Sequence, residues 1–218
     1  MKKLKNPNFR DVKNIIFDFG GVLLDIDIQL SLNAFAKLGL TGLERSSIHP
    51  NNRGIFLESE IGAISDSEFF DSLSGMFTCS SAQPSREELE KAWCALLLPF
   101  NWANFELLDS LRVSGYKLFL LSNTNSPHHL CFERNFAMTN PWGRTFDSFF
   151  DRVFYSDVLC LRKPGREIYQ RVLDITSIEP TETLFIDDNE PNLVEPALLG
   201  LHVHHLIPSQ TVHELFVE

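Results

Sequence analysis

The sequence predicts an α/β fold, a Rossmann-like parallel sheet of about five strands flanked by helices, with a helical cap domain inserted after the first strand. Short apolar runs recur at Ile15–Asp18, Leu118–Leu121, Val153–Tyr155, Leu184–Ile186 and His202–Leu206. Strands buried on both faces read as near-continuous apolar runs. Helical patterns separate the later runs, and strands alternating with helices build a parallel sheet covered on both sides. Between the first run and the second lie helical patterns with no strand among them, which marks an insertion.

Taken in order, Met1 to Phe9 reads as a loose tail, and the first strand stops at Asp18, just before Gly20-Gly21. Asp27 is placed to cap a helix burying Ile28, Leu32, Phe35 and Leu38. Ser65 with Glu68, and Ser85 with Glu88, are capping-box pairs that start two more helices. These three helices make a cap domain of residues 28–101, hinged near Asp25–Asp27 and Pro99–Trp102, and leave residues 1–27 and 102–218 as the core domain. In the core, Asn104 is expected to start a helix through Leu107, Leu108 and Leu111 that ends at Gly115, a suitable left-handed stop. His128 and His129 are expected to be solvated at a helix start after Pro127, and the stretch from Asn125 to Arg144 is long for a connection. Pro164 suits the first turn of a helix through Ile168 and Val172, which puts Lys163 at its amino end. Pro196 should kink or shorten the helix after Asn192.

Composition narrows the function. Of 218 residues, 44% are hydrophobic, ample for a packed core, and the formal charge of −10 disfavours nucleic acid and anionic membranes as partners. No apolar stretch is long enough to span a bilayer, and Asp18 interrupts the run that follows the basic residues Lys2, Lys3, Lys5 and Arg10. The expected location is therefore the cytoplasm. Cys79, Cys94, Cys131 and Cys160 lack any CxxC pairing and read as reduced thiols.

Residues with chemical potential cluster at the ends of the apolar runs. Ligands of open α/β sheets bind beyond the carboxyl ends of the strands, where Asp18, Ser122, Asn123, Asp187 and Asp188 fall. Asp18 suits a nucleophile, although a strand-end Asp also caps turns. Asp187 and Asp188 repel each other unless a cation or proton intervenes, which favours a hard metal such as Mg2+ over a helix cap built with Asn192. Ser122 and Asn123 carry a hydroxyl and an amide able to hold phosphoryl oxygens, and Lys163 can neutralise the gathered negative charge. Gly20 and Gly21 let a ligand approach the backbone.

The segments IIFDFGGVLL, LFLLSNTN, CLRKPGREIY and LFIDDNEPN, in that order, resemble the four signature motifs of the haloacid dehalogenase superfamily, most of whose members are Mg2+-dependent phosphatases. The resemblance spans roughly Asn14 to Asn192 and is weakest between Asp27 and Phe100. It implies that Asp18 is the nucleophile, that Lys163 assists it, and that Ser122, Asn123 and Gly21 bind phosphate. It further implies that Asp18, Asp188 and the Gly20 carbonyl ligate the metal, with Asp187 also at the metal and Asn192 behind it. Gly20 departs from the common pattern, in which a second Asp two residues after the nucleophile acts as general acid and base. A sugar-phosphate phosphatase branch of the superfamily resembles this chain in having Gly there.

Loss of such a group typically costs ~10²–10⁴-fold in rate. Replacements within reach of the sequence are Asp25, Asp27, Glu58, His128 and His129. The expected function is Mg2+-dependent hydrolysis of a small phosphorylated metabolite, such as a sugar phosphate, through an aspartyl-phosphate. The alternatives are a metal-independent 2-haloacid dehalogenase and a catalytically weak or inactive ligand-binding relative.

Overall fold

The computed structural model describes residues 1–40, 43, 54–77 and 83–218. Cys79 therefore lies outside the described residues, as do parts of the 28–101 segment. Strands β2 (Asn14–Phe17), β3 (Lys117–Ser122), β4 (Arg152–Tyr155), β5 (Thr183–Asp187) and β6 (His202–His205) form one parallel sheet in the order β4-β3-β2-β5-β6. The chain fills one side of β2 with β3 and β4, then returns to fill the other with β5 and β6. A crevice opens where the strand order reverses, beyond the ends of β2, β3 and β5.

Alternation along β2 divides the core. Ile15 and Phe17 face the layer that holds Phe105, Leu108, Phe132 and Phe136, whereas Ile16 faces Ile168, Val172 and Phe185. Helices α5 (Trp102–Val113) and α6 (Ser126–Thr139) cover the first face, and α8 (Arg166–Thr176) covers the second. Between them in sequence, α7 (Ser156–Leu159) is a single turn after β4.

The insertion contains α1 (Ile28–Lys37), α2 (Ile55–Glu60), α3 (Asp66–Gly75) and α4 (Arg86–Cys94). They share a separate apolar cluster of Phe35, Phe69, Phe70, Leu73, Leu89 and Trp93. Asp27 accepts a hydrogen bond from the Gln29 amide, and both capping boxes are formed as the sequence predicts. The two connections to the sheet run side by side, with the Asp27 amide 2.9 Å from the Leu96 carbonyl and an isolated antiparallel bridge between Ile26 and Leu97.

Several expectations are corrected. The amino-terminal residues are not a loose tail: β1 (Lys3–Leu4) pairs antiparallel with β7 (Phe216–Val217), and a 3-10 turn follows at Pro7–Phe9. Asn101, not Asn104, caps α5, while buried Asn104 donates to the Leu23 carbonyl and meets His213. Pro164 precedes its helix, which starts at Arg166 after a Gly165 cap. The 125–144 stretch is mostly α6, a 14-residue helix capped by Asn125. Gly115 does follow α5 in the left-handed region, at φ +95°. Pro196 lies in α9 (Val194–Leu198), only five residues long, where the first turn needs no amide donor. No described helix is long and apolar enough to cross a membrane.

Candidate active site

Asp18 follows β2 directly, and its amide is held by the Ile186 carbonyl of β5 at 2.9 Å. That bond places its carboxylate at the mouth of the crevice, with the residue only 8% exposed. Lys163 enters from the β4–α8 connection and is 1% exposed. Its Nζ lies 2.7 Å from Asp18 Oδ1 and 2.7 Å from Asp187 Oδ2. A buried ammonium is tolerable only when paired. Burial works against its charge, but Asp18 and Asp187 outweigh that cost and hold its pKa above the ordinary lysine value.

Asp187, the last residue of β5, is fully buried, and its two oxygens are saturated. Oδ1 accepts from the Asn189 amide at 2.8 Å and from Asn192 Nδ2 at 3.0 Å, while Oδ2 accepts from Lys163 and Asn192. The Asn192 carbonyl in turn accepts from the Tyr169 hydroxyl at 2.7 Å. Asn192 thus supports Asp187 from the lining of the crevice. Asp188 points into the crevice, with its pKa raised by burial and by the neighbouring Asp187. Asp18 is pushed up to about 7, first by burial and then by Asp187 and Asp188, against the downward pull of Lys163.

Asp18, Asp187 and Asp188 each offer an oxygen within 4.8 Å of the others, an all-oxygen donor set suited to a hard divalent cation. Gly21 makes the approach possible: its φ is +79°, and a β-carbon there would collide with the Asp188 carboxylate.

Ser122 and Asn123 lie at the end of β3 beside Asp18, both lining the crevice. The Asn123 side chain is turned elsewhere: its oxygen accepts from the Lys163 amide at 2.9 Å and its nitrogen donates to the Lys163 carbonyl at 2.9 Å. That double clamp fixes the backbone of the lysine, a role the sequence pattern did not suggest.

The insertion roofs the crevice. Phe56, Glu60, Trp93, Leu96 and Leu97 line it from above, opposite Asp18, Ser122, Lys163 and Asp188, around a cavity of about 230 Å³. Trp93 stacks on His128 with ring centroids 4.5 Å apart and planes 5° from parallel, and on Phe56 at 5.5 Å. His128 Nε2 lies 3.0 Å from the Trp93 carbonyl, and burial lowers its pKa to about 4 despite that bond. The imidazole is therefore a wall of the crevice and not a solvated residue. His129 is half-buried against Tyr155 and 3.2 Å from Glu133.

Of the other sequence candidates, Asp25, Asp27 and Glu58 are exposed and do not line the crevice. Glu60, two residues beyond Glu58, does, and its carboxylate meets Arg162 Nε at 3.1 Å. Sequence reasoning missed Phe56 and Glu60 because helix α2 has no capping side chain at Gly54 and only six residues. Trp93 carried a visible helical signal, but its spacing identified it only as a core residue.

Comparison with known proteins agrees with this geometry. A family model described as haloacid dehalogenase-like hydrolase matches residues 12–194. A D-ribitol-5-phosphate phosphatase of Bacteroides thetaiotaomicron is 32% identical over 185 residues, covering 84% of this chain and 85% of the relative. A variant of a haloacid dehalogenase family enzyme from Bacteroides thetaiotaomicron, solved with magnesium and inorganic phosphate, superposes with a TM-score of 0.86 at 29% identity, covering 94% of this chain and 98% of the other. An L-2-haloacid dehalogenase of Xanthobacter autotrophicus is more distant, with a TM-score of 0.57 and 20% identity over 89% of this chain and 77% of the other, and shares the fold.

Proposed function

The chain belongs to the haloacid dehalogenase-like hydrolases, and on that premise we propose that it is an Mg2+-dependent phosphatase of a small phosphorylated metabolite, with a sugar or alditol phosphate as the class to test first. One observation carries the reading: three carboxylates and a buried lysine share the strand-end crevice, with their oxygens close enough for one cation. Asp18 and Asp188, with the Gly20 carbonyl, would hold Mg2+, and Asp187 would stand beside it, already tied to Lys163 and Asn192. When bound, Mg2+ offsets the repulsion between the carboxylates and an incoming phosphate and stabilises charge in the transferring phosphoryl group.

Asp18 attacks phosphorus through a carboxylate oxygen and becomes esterified as the alcohol departs; water then cleaves the acyl phosphate and restores the carboxylate. Lys163 balances the charge on Asp18 throughout, held in place by the Asn123 clamp. Ser122 and the backbone at Asn123 would receive the phosphoryl oxygens, whereas the Gly21 amide, expected to join them, is already given to the Leu24 carbonyl at 2.8 Å. Residues 1–27 and 102–218 act as the catalytic core, and residues 28–101 as the cap that excludes water and selects the leaving group. The cytoplasm, where magnesium and phosphorylated metabolites coexist, is the setting that suits this activity.

The dehalogenase alternative gains nothing from the site. A metal-free centre receiving a carboxylate substrate is poorly served by Asp187 and Asp188 placed beside the nucleophile. Phosphate release from a panel of sugar and alditol phosphates is the test. It should require Mg2+, cease with EDTA, and be abolished by Asp18→Asn. Halide release from a 2-haloacid in the presence of EDTA would establish the dehalogenase instead. Mg2+ binding without turnover of any ester would make the chain a binding protein.

A further inference from the structure

The proposed reaction moves a proton twice, to the departing alcohol and then from the attacking water, yet position 20 carries no side chain to do it. The gap there is already filled. A β-carbon on Gly20 would sit 3.3 Å from Ile26 Cδ1, so the space above the nucleophile on that side is apolar. The proton carrier must reach the crevice from elsewhere.

Apart from Asp18, Asp188 and Lys163, the titratable side chains lining the crevice among the described residues are His128 and Glu60. His128 is committed. A carbonyl can only accept, so Nε2 carries the ring proton toward Trp93, and burial leaves the imidazole neutral near pH 7 and its other nitrogen a weak base. Glu60 differs in both respects. It ends helix α2, enters the crevice from the roof, and is oriented by Arg162 Nε at 3.1 Å, the residue just before Lys163.

We propose that Glu60 is the catalytic acid and base of the reaction proposed above, supplied by the cap in place of the missing side chain at position 20. As the bond between Asp18 and phosphorus forms and the phosphorus–oxygen bond to the alcohol breaks, protonated Glu60 gives its proton to the departing oxygen. In the second half, its carboxylate takes a proton from the water that attacks phosphorus and displaces Asp18, which returns both groups to their starting states. Burial raises the proton affinity of Glu60 above that of an ordinary glutamate, against the downward pull of Arg162. The turn after α2 is seated firmly enough to hold the carboxyl in place, because Gly62, at φ +62°, packs so closely on the Asp157 carbonyl that no β-carbon fits.

The inference rests on the phosphatase reading, and rapid-quench kinetics separates the two. The esters are ribitol 5-phosphate, whose alkoxide needs a proton, and p-nitrophenyl phosphate, whose phenolate hardly does. Glu60→Gln should slow the first turnover of the alkyl ester by about 10²–10⁴-fold. With the aryl ester it should give a burst of p-nitrophenolate followed by slow steady-state release, because only the water step lacks its base. Glu60→Asp, which keeps a carboxyl, should recover part of the alkyl rate. Arg162→Gln, which loosens the carboxyl but keeps it, should slow the first turnover of the alkyl ester more than that of the aryl ester, and by less than Glu60→Gln does.

Equal slowing of both first turnovers by Glu60→Gln would reduce Glu60 to a tether of the cap and overturn the assignment. So would full alkyl activity in Glu60→Gln. Absence of phosphate release from either ester by the unaltered protein would instead sink the phosphatase reading beneath it.

Discussion

Lys163 and Asp18 show how single side chains set the chemistry. Burial in an apolar sheet makes each expensive as an ion, and pairing at 2.7 Å makes both tolerable. The Asp18 pKa is nevertheless pushed up to about 7, because burial, and then Asp187 and Asp188, outweigh the pull of Lys163. Mg2+ must displace the carboxyl proton, so its affinity should weaken progressively as pH falls below about 7 and level off above it. Titration calorimetry on either side of neutrality checks this, with proton release on the acid side. The same sign applies to folding without metal. A carboxyl whose folded pKa exceeds its ordinary 3.8 contributes most below about pH 4, and its contribution is lost as pH rises toward about 7. At this scale the sequence was informative: Asp18, Ser122, Asp187 and Asp188 converge from strand ends, and Lys163 joins them from the β4–α8 connection. Partners separated by many residues were not legible. The Asn123 clamp on Lys163 joins positions 40 apart, and no local pattern encodes it.

At the scale of elements, the apolar runs were sufficient to place every strand of the main sheet, since a strand buried on both faces has few other ways to be written. Helix starts with side-chain caps were equally plain. Removing them should cost what caps usually cost. Ser65→Ala and Ser85→Ala should each destabilise the protein by about 1 kcal/mol, measured by urea denaturation, because each leaves an amide at its helix start without its hydroxyl partner. Short elements escaped. Helix α2 lacks a side-chain cap, and β1 is two residues whose only recognisable feature is a partner at the opposite end of the chain. The α6 helix was legible only at its start near Pro127, because its hydrophobic face, Cys131, Phe132 and Phe136, is interrupted by polar and charged residues.

For the whole molecule, the decisive feature is the division of labour between a sheet that fixes charges and a helical layer that closes over them. The sheet places Asp18, Ser122, Lys163 and the Asp187-Asp188 pair, from four separate segments, on one edge. The insertion contributes Phe56, Trp93 and Glu60, an aromatic wall and one carboxylate. The cap has its own apolar cluster, which is why its sequence could announce helices without announcing which faces look down into the crevice. The central claim is that Asp18 becomes covalently phosphorylated during turnover. Acid quenching of the Mg2+-loaded protein during hydrolysis of a phosphate ester, followed by peptide mass spectrometry, measures this directly. A phosphoryl group on the peptide containing Asp18, absent from the Asp18→Asn protein, is the predicted result; sustained phosphate release with no label on Asp18, or with label on another residue, would contradict it.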